Sequence, residues 1–215
     1  MGVLKQLLIV GAGGFGREVY AAAVEAVGYG SEFTVKGFLD GRANALEGFP
    51  GYPPVIGRPE DYSIGENDVF ITALGNIAAR RRCVAMIESR GGVFVPVVHR
   101  TASLGPNVKL GAGAFVAHNA VLTADIEIGR HACVFHGSVI GHDSRLGDFS
   151  HVYSLVSVGG GVEIGEGASV FPGARIVPRR RIGAGATVGI GSVAVRDVDP
   201  GVTVFGVPAE KIDFS

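Results

Sequence analysis

The sequence predicts a small α/β unit with a parallel sheet over residues 1–97, followed by a parallel β-helix over residues 98–215. Three observations predict this fold class. Strands alternate with helices in the first hundred residues, an aliphatic residue recurs at every sixth position after Val98, and glycine accounts for 35 of the 215 residues. Abundant aliphatic residues among so many glycines are typical of short strands joined by tight turns, and they exclude a disordered chain.

The first unit alternates between buried strands and helices. The predicted elements, in order, are a strand at 7–10, a helix at 17–27, strands at 35–39 and 68–74, a basic helix near 77–89 and a strand at 93–97. Such alternation builds a small parallel sheet, and sheets of this kind bind ligands at the carboxyl ends of their strands.

Three features lie at those carboxyl ends. Gly11, Gly13 and Gly16 form the G-x-G-x-x-G pattern of a loop that cradles phosphate between a strand and a helix. Asp40 ends the second strand, where nucleotide-binding folds carry an acidic residue that contacts the nucleoside, and Asn76 follows the third strand. Because about 95 residues are too few for a dinucleotide fold, we expect a single nucleotide or a nucleotide-linked sugar here. The alternative is that the glycines only permit close packing of strand and helix.

The second unit carries a six-residue repeat that no insertion interrupts. Its aliphatic positions are Leu104, Leu110, Val116, Leu122, Ile128, Val134, Ile140, Leu146, Val152, Val158, Ile164, Val170, Ile176, Ile182 and Val188. This period fits neither a helix nor an alternating strand. It fits coils of three short strands, in which each residue stacks on the residue eighteen positions later, about 4.8 Å away. Glycine often follows the aliphatic residue, and we expect it to supply turn conformations that a Cβ would penalise.

Three histidines occupy the third position of their hexads and are expected to point outwards. His118 and His136 are eighteen residues apart and should stack on one face, whereas His142 belongs to the next face. Gly160 follows His142 by eighteen residues and should lie one coil above it. An imidazole that accepts a proton, beside a backbone N–H that stabilises an oxyanion, suits acyl transfer. Asp143 is a candidate to orient the ring.

The chain resembles, over essentially its whole length, the left-handed β-helix sugar acyltransferases that N-acetylate nucleotide-linked 4-amino sugars, and the related sialic acid O-acetyltransferases. The segments that carry the resemblance are LLIVGAGGFGREV, GFLDGR, PVIG, ALGN, VIGHDSRLGDFSHV and FGVPAEKI. In length and in the GHD motif, it is most similar to the members that act on GDP-perosamine. The resemblance implies an acetyl-CoA-dependent N-acetyltransferase acting on a nucleotide-linked 4-amino-4,6-dideoxy sugar for surface glycans such as lipopolysaccharide O-antigen. It also implies a homotrimer with active sites between subunits.

The resemblance further implies roles for individual residues. His142 matches the proposed base, Asp143 its acidic partner, and Gly160 a glycine whose amide contacts the acetyl carbonyl. His151 matches a histidine near the thioester and the pantetheine arm of CoA. The candidates for binding the sugar nucleotide are Gly13, Gly14, Phe15, Asp40, Gly41, Arg42, Asn76, Asn119 and His136. Phe135 and Gly141 depart from the residues that many relatives carry there, which leaves the acceptor sugar open.

Two C-terminal segments are candidates for binding CoA. Arg179, Arg180 and Arg181 lie on a predicted exposed turn, where they either bind CoA phosphates or are simply solvated. Val207 and Pro208 belong to the segment FGVPA, which resembles the loop that touches adenine in related acetyltransferases.

The composition excludes several classes of partner. The formal net charge of −1 gives no basic footprint for nucleic acid or an anionic membrane surface. Two cysteines without metal-like or redox-like spacing fit a reducing compartment, and the N-terminal segment is typical of a first strand rather than a signal peptide. We therefore expect a cytoplasmic protein with no metal, nucleic-acid or membrane partner.

Three other functions remain open at this point. O-acetylation of a sugar hydroxyl uses the same groups. A zinc hydrolyase of the carbonic-anhydrase β-helix type would need three imidazoles that converge on one metal ion. A non-catalytic nucleotide-sugar binding module would bind ligand without releasing the CoA thiol.

Overall fold

The computed structural model describes residues 3–212 and divides the chain into two compact units. The first unit ends at Arg100 and the second begins at Thr101, whereas the sequence pattern suggested a division after residue 97. Within residues 3–212, no helix is long and apolar enough to cross a membrane.

The first unit contains a four-stranded parallel sheet with strand order β3-β2-β1-β4. Its elements are β1 (Lys5–Val10), α1 (Gly14–Ala23), β2 (Phe33–Leu39), β3 (Val55–Gly57), β4 (Asp68–Thr72), α2 (Ile77–Ser89) and β5 (Val97–Val98). Strand β1, which is central, and strand β4, at the end of the strand order, are buried along most of their length. Residues 93–95 cover part of the outer edge of β4 through two backbone hydrogen bonds to Phe70. The predicted order of strands and helices is confirmed up to α2, with β3 as a short edge strand that the hydrophobic pattern had not indicated. The strand predicted at 93–97 was wrong in its bounds: the structure has an isolated bridge at Phe94 and the two-residue strand β5 at Val97–Val98.

Helix α1 begins three residues earlier than predicted, at Gly14, and ends at Ala23 instead of residue 27. The glycine loop leads directly into the helix, with Gly13 at the N-cap position and no side-chain cap. A Cβ on Gly16 would lie 2.0 Å from the carbonyl oxygen of Gly11. Gly16 is therefore required for close packing of the helix against the end of β1.

The second unit is a left-handed parallel β-helix with three faces. Its strands are β6 (Ser103–Leu104), β7 (Lys109–Leu110), β8 (Phe115–Val116), β9 (Val121–Leu122), β10 (Glu127–Ile128), β11 (Cys133–Val134), β12 (Val139–Ile140), β13 (Arg145–Leu146), β14 (His151–Val152), β15 (Ser157–Val158), β16 (Glu163–Ile164), β17 (Ser169–Val170), β18 (Arg175–Ile176), β19 (Arg181–Ile182), β20 (Thr187–Val188), β21 (Val193–Ala194), β22 (Thr203–Phe205) and β23 (Glu210–Lys211). Face 1 runs from β7 through β10, β13 and β16 to β19, and face 2 from β6 through β9, β12, β15 and β18 to β21. Face 3 runs from β8 through β11, β14, β17 and β20 to β22, to which β23 adds antiparallel.

The predicted eighteen-residue register is confirmed on all three faces, as in the pairs Ile128↔Leu146, Ile140↔Val158 and Val134↔Val152. From residue 116 to residue 188 the repeating aliphatic side chains are buried and fill the interior of the coil. Burying one such side chain stabilises a fold by about 1.5–3 kcal/mol. The repeat therefore supplies most of the hydrophobic core of this unit.

The fourth position of each hexad turns the chain. From residue 107 to residue 191 every fourth position has φ between 55° and 72°, whether it is a glycine or a residue such as Asn119 or Asp143. This left-handed conformation is the one for which glycine, asparagine and aspartate are best suited. The expectation that glycine serves the turns holds for this position.

The glycines that directly follow the aliphatic residue have a different role. A Cβ on Gly129, Gly141 or Gly147 would lie 2.6 Å from a backbone nitrogen of the next coil, and none of the three has a positive φ. These glycines are needed because successive coils approach closely there, and the expectation of a turn conformation at this second position was wrong.

Candidate active site

His142 lies at the corner that follows β12 on face 2. Its imidazole covers Gly160 of the next coil, because a Cβ on Gly160 would lie 2.7 Å from His142 Nε2. The carbonyl oxygen of His142 accepts a hydrogen bond of 2.7 Å from the N–H of Gly161, which fixes the two coils in register. Glycine at position 160 therefore leaves the space that the ring occupies, as the eighteen-residue spacing predicts.

Asp143 is the hydrogen-bond partner of this imidazole. Its φ of 60° turns its side chain to the same side as that of His142, and Oδ2 lies 2.6 Å from His142 Nδ1. Both side chains are about two-thirds exposed, at 69% and 66%. When Nδ1–H donates to the carboxylate, the neutral ring carries its free lone pair on Nε2. The pair therefore presents a base at Nε2, on the side of Gly160.

The Gly160 amide completes the group. No residue among 3–212 accepts a hydrogen bond from the Gly160 N–H. The Gly160 carbonyl oxygen accepts one of 2.9 Å from the backbone N–H of Arg179. Gly141 lies beside this amide, and a Cβ at Gly141 would lie 2.6 Å from the Gly160 nitrogen. An N–H donor without an acceptor among the described residues, next to a histidine base, is the arrangement that can stabilise an oxyanion during acyl transfer.

His118 and His136 stack as predicted, with ring centroids 4.0 Å apart. They lie at the corner that follows face 3, and His136 Nδ1 is 3.3 Å from Ser154 Oγ. Asn119, at the same corner, is exposed and its N–H donates to Thr101 Oγ1. Within one chain, the two substrate-binding candidates His136 and Asn119 therefore lie at a different corner from His142.

His151 lies on β14 of face 3 and is only 1% exposed. Its Nδ1 is 3.3 Å from the hydroxyl of Tyr153, whose ring stacks between those of Phe135 and Phe171 at centroid distances of 5.2 and 4.9 Å. This aromatic ladder was not predicted, although the spacing of eighteen residues between its members is a usable signal in the sequence. Within one chain, His151 and His142 lie on different faces of the coil.

The three consecutive arginines do not form one cluster. Arg181 lies on face 1, with its Nε 3.4 Å from Glu163 Oε2. Arg180 forms a separate ion pair, with its Nη1 3.7 Å from Asp197 Oδ1. Arg179 occupies a left-handed turn position and is exposed. Of the two remaining CoA candidates, Val207 is 73% exposed, and Pro208 follows it at the same surface loop.

A cavity of about 400 Å³ lies at the carboxyl ends of the strands in the first unit. Gly11, Asp40, Gly41, Glu60, Arg82 and Cys83 are among the residues that line it. Three of them, Glu60, Arg82 and Cys83, were not found from the sequence, because no pattern connects the segment after β3 with α2.

Asp40 bonds to the glycine loop. Its Oδ2 accepts a hydrogen bond of 2.8 Å from the Ala12 N–H, and its Oδ1 accepts from the N–H and Nε of Arg42. Partial burial raises the pKa of Asp40, but these hydrogen bonds outweigh that effect and hold its pKa below the usual value. Asp40 is therefore ionised at neutral pH and fixes the loop.

The other predicted binding residues of this unit, Gly13, Gly14, Phe15 and Asn76, differ in their contacts within the fold. A Cβ on Gly13 or Gly14 would meet no atom within 4 Å, so packing does not require glycine there and a ligand can approach the backbone. Asn76 caps α2 by accepting from the Ala79 N–H at 2.9 Å. Phe15 is half-buried in the first turn of α1.

Within the part of the chain that the structure describes, no group of three or more histidine, cysteine, aspartate or glutamate side chains could hold a metal ion. The described residues of one chain therefore do not form the three-ligand site that a zinc hydrolyase needs.

Comparisons with known proteins give matches to both units. Residues 6–87 match the family model of the PglD N-terminal domain. A histidine-to-alanine variant of GDP-perosamine N-acetyl transferase from Caulobacter crescentus, in complex with CoA and GDP-perosamine, is 31% identical with a TM-score of 0.84, and the match covers 98% of each chain. PerB from the same bacterium, in complex with the same two ligands, is 30% identical with a TM-score of 0.86, over 98% of this chain and 99% of that chain.

A third similar structure is the acetyltransferase domain of PglB from Neisseria gonorrhoeae FA1090, in complex with acetyl coenzyme A. It is 28% identical with a TM-score of 0.87, over 98% of this chain and 100% of that chain. No curated protein sequence matches the chain.

Proposed function

This chain belongs to the left-handed β-helix family of sugar N-acetyltransferases, and from that membership we propose its reaction. It transfers the acetyl group of acetyl-CoA to the 4-amino group of a nucleotide-linked 4-amino-4,6-dideoxy sugar. A GDP-perosamine-like acceptor is favoured, since two similar structures hold GDP-perosamine together with CoA. The single observation that carries the proposal is the His142 imidazole, paired with Asp143 and lying over the Gly160 amide.

The proposed reaction assigns one task to each of these groups. The amine nitrogen attacks the thioester carbonyl carbon, and the carbonyl electron pair moves to the oxygen, where the Gly160 N–H stabilises it. His142 Nε2 takes the proton that the nitrogen loses, and Asp143 stabilises the resulting imidazolium. Collapse of the tetrahedral intermediate then breaks the C–S bond, and the CoA thiolate takes the proton from the His142 imidazolium, which leaves neutral CoA thiol and restores the base.

We propose that the first unit binds the sugar nucleotide through Gly13, Gly14, Phe15 and the Asp40–Arg42 segment, and that Asn76, Asn119 and His136 contribute further contacts. Arg179, Val207 and Pro208 are exposed and are our first candidates for contacts with CoA. Arg180 and Arg181 are secondary candidates, because each already has a carboxylate neighbour.

A homotrimer is part of the proposal. His142 and His151 lie at different places around the coil of one chain, which supports a thioester site between two copies that contacts His142 of one and His151 of the other. Flat β-helix faces associate in closed cyclic assemblies, and a site between neighbours meets this requirement. We further propose that the reaction takes place in the cytoplasm and serves surface glycan synthesis such as that of O-antigen.

The test is release of the CoA thiol from acetyl-CoA in the presence of GDP-, UDP- or dTDP-linked 4-amino sugars. We expect release that depends on the sugar amine, and a fall in kcat of about 10²- to 10⁴-fold in His142→Ala, the usual contribution of a general base. His118→Ala is the matched control, because it removes an exposed imidazole from the same hexad position at another corner. Unchanged turnover in His142→Ala would contradict the assigned role. Transfer to a 4-hydroxy sugar in preference to the amine would indicate O-acetylation instead.

A further inference from the structure

The cavity of the first unit carries two carboxylates and one basic group on its wall. Both oxygens of Asp40 already accept hydrogen bonds from Ala12 and Arg42, whereas those of Glu60 are available. Glu60 and Arg82 both line the cavity, together with Cys83 and the apolar side chains of Leu74 and Met86. Burial raises the pKa of the Cys83 thiol to about 11, and the negative charge of Glu60 adds to the rise. Cys83 is therefore a neutral thiol at neutral pH, and the basic group of this wall is Arg82.

The backbone that carries Glu60 is held rigidly. The guanidinium of Arg90 donates hydrogen bonds to the carbonyl oxygens of Pro59, Glu60 and Tyr62. The Glu60 side chain itself is 59% exposed, and its ion-pair partner Arg58 is also exposed, at a distance of 3.7 Å. Ion pairs of this exposed kind are weak, so the Glu60 carboxylate remains available to a ligand, while the hydrogen bonds from Arg90 fix the backbone from which it projects.

We propose that Glu60 selects guanine as the nucleobase, by accepting hydrogen bonds from N1–H and the N2 amino group, and that Arg82 donates to O6 and N7. This inference rests on the proposed function, in which the first unit binds a sugar nucleotide, and it places the nucleobase in the cavity beside Asp40 and Gly41. A carboxylate only accepts hydrogen bonds, and two adjacent donors on one edge satisfy both of its oxygens. Guanine has that pair of donors, and its remaining ring groups O6 and N7 are acceptors that an arginine can bind.

The same carboxylate disfavours the other bases. Uracil and thymine have one donor, N3–H, between two carbonyl oxygens, so one carboxylate oxygen would face a carbonyl lone pair. Adenine has its amino group beside the acceptor N1 and meets the same conflict. A binding site rejects such a base because one of its polar groups is left unpaired or faces a group of the same polarity in the complex.

The test measures binding of GDP, IDP, UDP and dTDP to the full chain by isothermal titration calorimetry. IDP carries hypoxanthine, which lacks only the N2 amino group of guanine. We expect the chain to bind GDP about 10- to 100-fold more tightly than IDP, the difference expected for a hydrogen bond to a charged group, and more tightly still than UDP or dTDP.

The variant Glu60→Gln should bring the GDP-to-IDP ratio close to one and weaken GDP binding about tenfold or more. The matched control is Asp61→Asn, which removes the same charge from the neighbouring residue, a side chain that is 75% exposed and does not line the cavity. Asp61→Asn should leave the ratio unchanged.

Two outcomes would overturn the inference: equal binding of GDP, UDP and dTDP by the unmodified chain, or an equal loss for GDP and IDP in Glu60→Gln. Failure of guanine selection and failure of the proposed acetyltransferase reaction give different results. His142-dependent thiol release with a UDP- or dTDP-linked amino sugar would preserve the acetyltransferase and reject guanine selection. Tight and selective GDP binding without thiol release would preserve guanine selection and reject the acetyltransferase reaction.

Discussion

At the scale of single residues, the site depends on a backbone conformation. His142 and Asp143 are adjacent in the chain, and in a regular strand their side chains would point to opposite sides. The left-handed φ of Asp143 brings its carboxylate 2.6 Å from the imidazole instead. Because the fourth position of each hexad adopts this conformation, an aspartate there can serve the turn and the histidine at the same time.

This double role makes Asp143→Asn an informative variant. Asn107 and Asn119 occupy the equivalent position with φ of 58°, so asparagine is compatible with the fold there. The amide cannot stabilise an imidazolium as a carboxylate does, and we expect kcat to fall by about 10²-fold or more with little change in stability. Steady-state kinetics across the pH range, together with thermal unfolding, measure both effects.

Asp125→Asn is the control for this prediction. Asp125 occupies the same hexad position one coil earlier, with φ of 55° and an exposed side chain. Its replacement removes one negative charge from the same corner without touching His142. A comparable loss of kcat in both variants would show that general electrostatics, and not the pairing with His142, accounts for the effect.

At the scale of elements, glycine fills two positions of the hexad for two different reasons. Gly147 has an ordinary φ, but a Cβ there would lie 2.6 Å from the nitrogen of Glu166 in the next coil. Gly185 has open space around it and a φ of 66°. Glycine is therefore needed at position 147 because the next coil leaves no space for a Cβ, and at position 185 because of the left-handed φ.

We expect Gly147→Ala to lower the free energy of unfolding by more than Gly185→Ala. The first change forces neighbouring coils apart and should cost about 1–3 kcal/mol or more, as overpacking does. The second places alanine in a left-handed turn, at a cost of about 1 kcal/mol. Chemical denaturation of the two variants measures the difference. An equal cost at both positions would contradict the separate roles of these glycines.

The β-helix and the pairing of His142 with Gly160 could be predicted from the sequence, because both follow from the six-residue period. In a solenoid, the neighbour of each residue is set by the repeat length, so spacing alone gives contacts. The orientation of Asp143 was left open because it depends on φ, which the pattern does not encode. Glu60, Arg82 and Cys83 were missed for another reason. Their meeting depends on a non-repeating loop held by Arg90, a contact between segments that share no period.

At the scale of the whole molecule, we propose that the active site is shared between two chains. His142 lies at the corner after face 2, and His151 lies on face 3 of the same coil stack. If a neighbouring copy supplies His151 to the site of His142, two inactive variants should restore each other. His142→Ala chains retain His151, and His151→Ala chains retain His142.

In a cyclic trimer assembled at random from equal amounts of the two variants, about a quarter of the interfaces contain both intact histidines. We therefore expect co-refolded or co-expressed variants to recover about a quarter of the unmodified kcat, if each variant alone is nearly inactive. Thiol release before and after mixing measures the recovery, and thermal unfolding verifies that His151→Ala, which alters a buried residue, still folds. Recovery should be absent when the two variants are mixed without subunit exchange. An absence of recovery after demonstrated exchange would mean that both histidines act within one chain or that His151 has no part in the reaction.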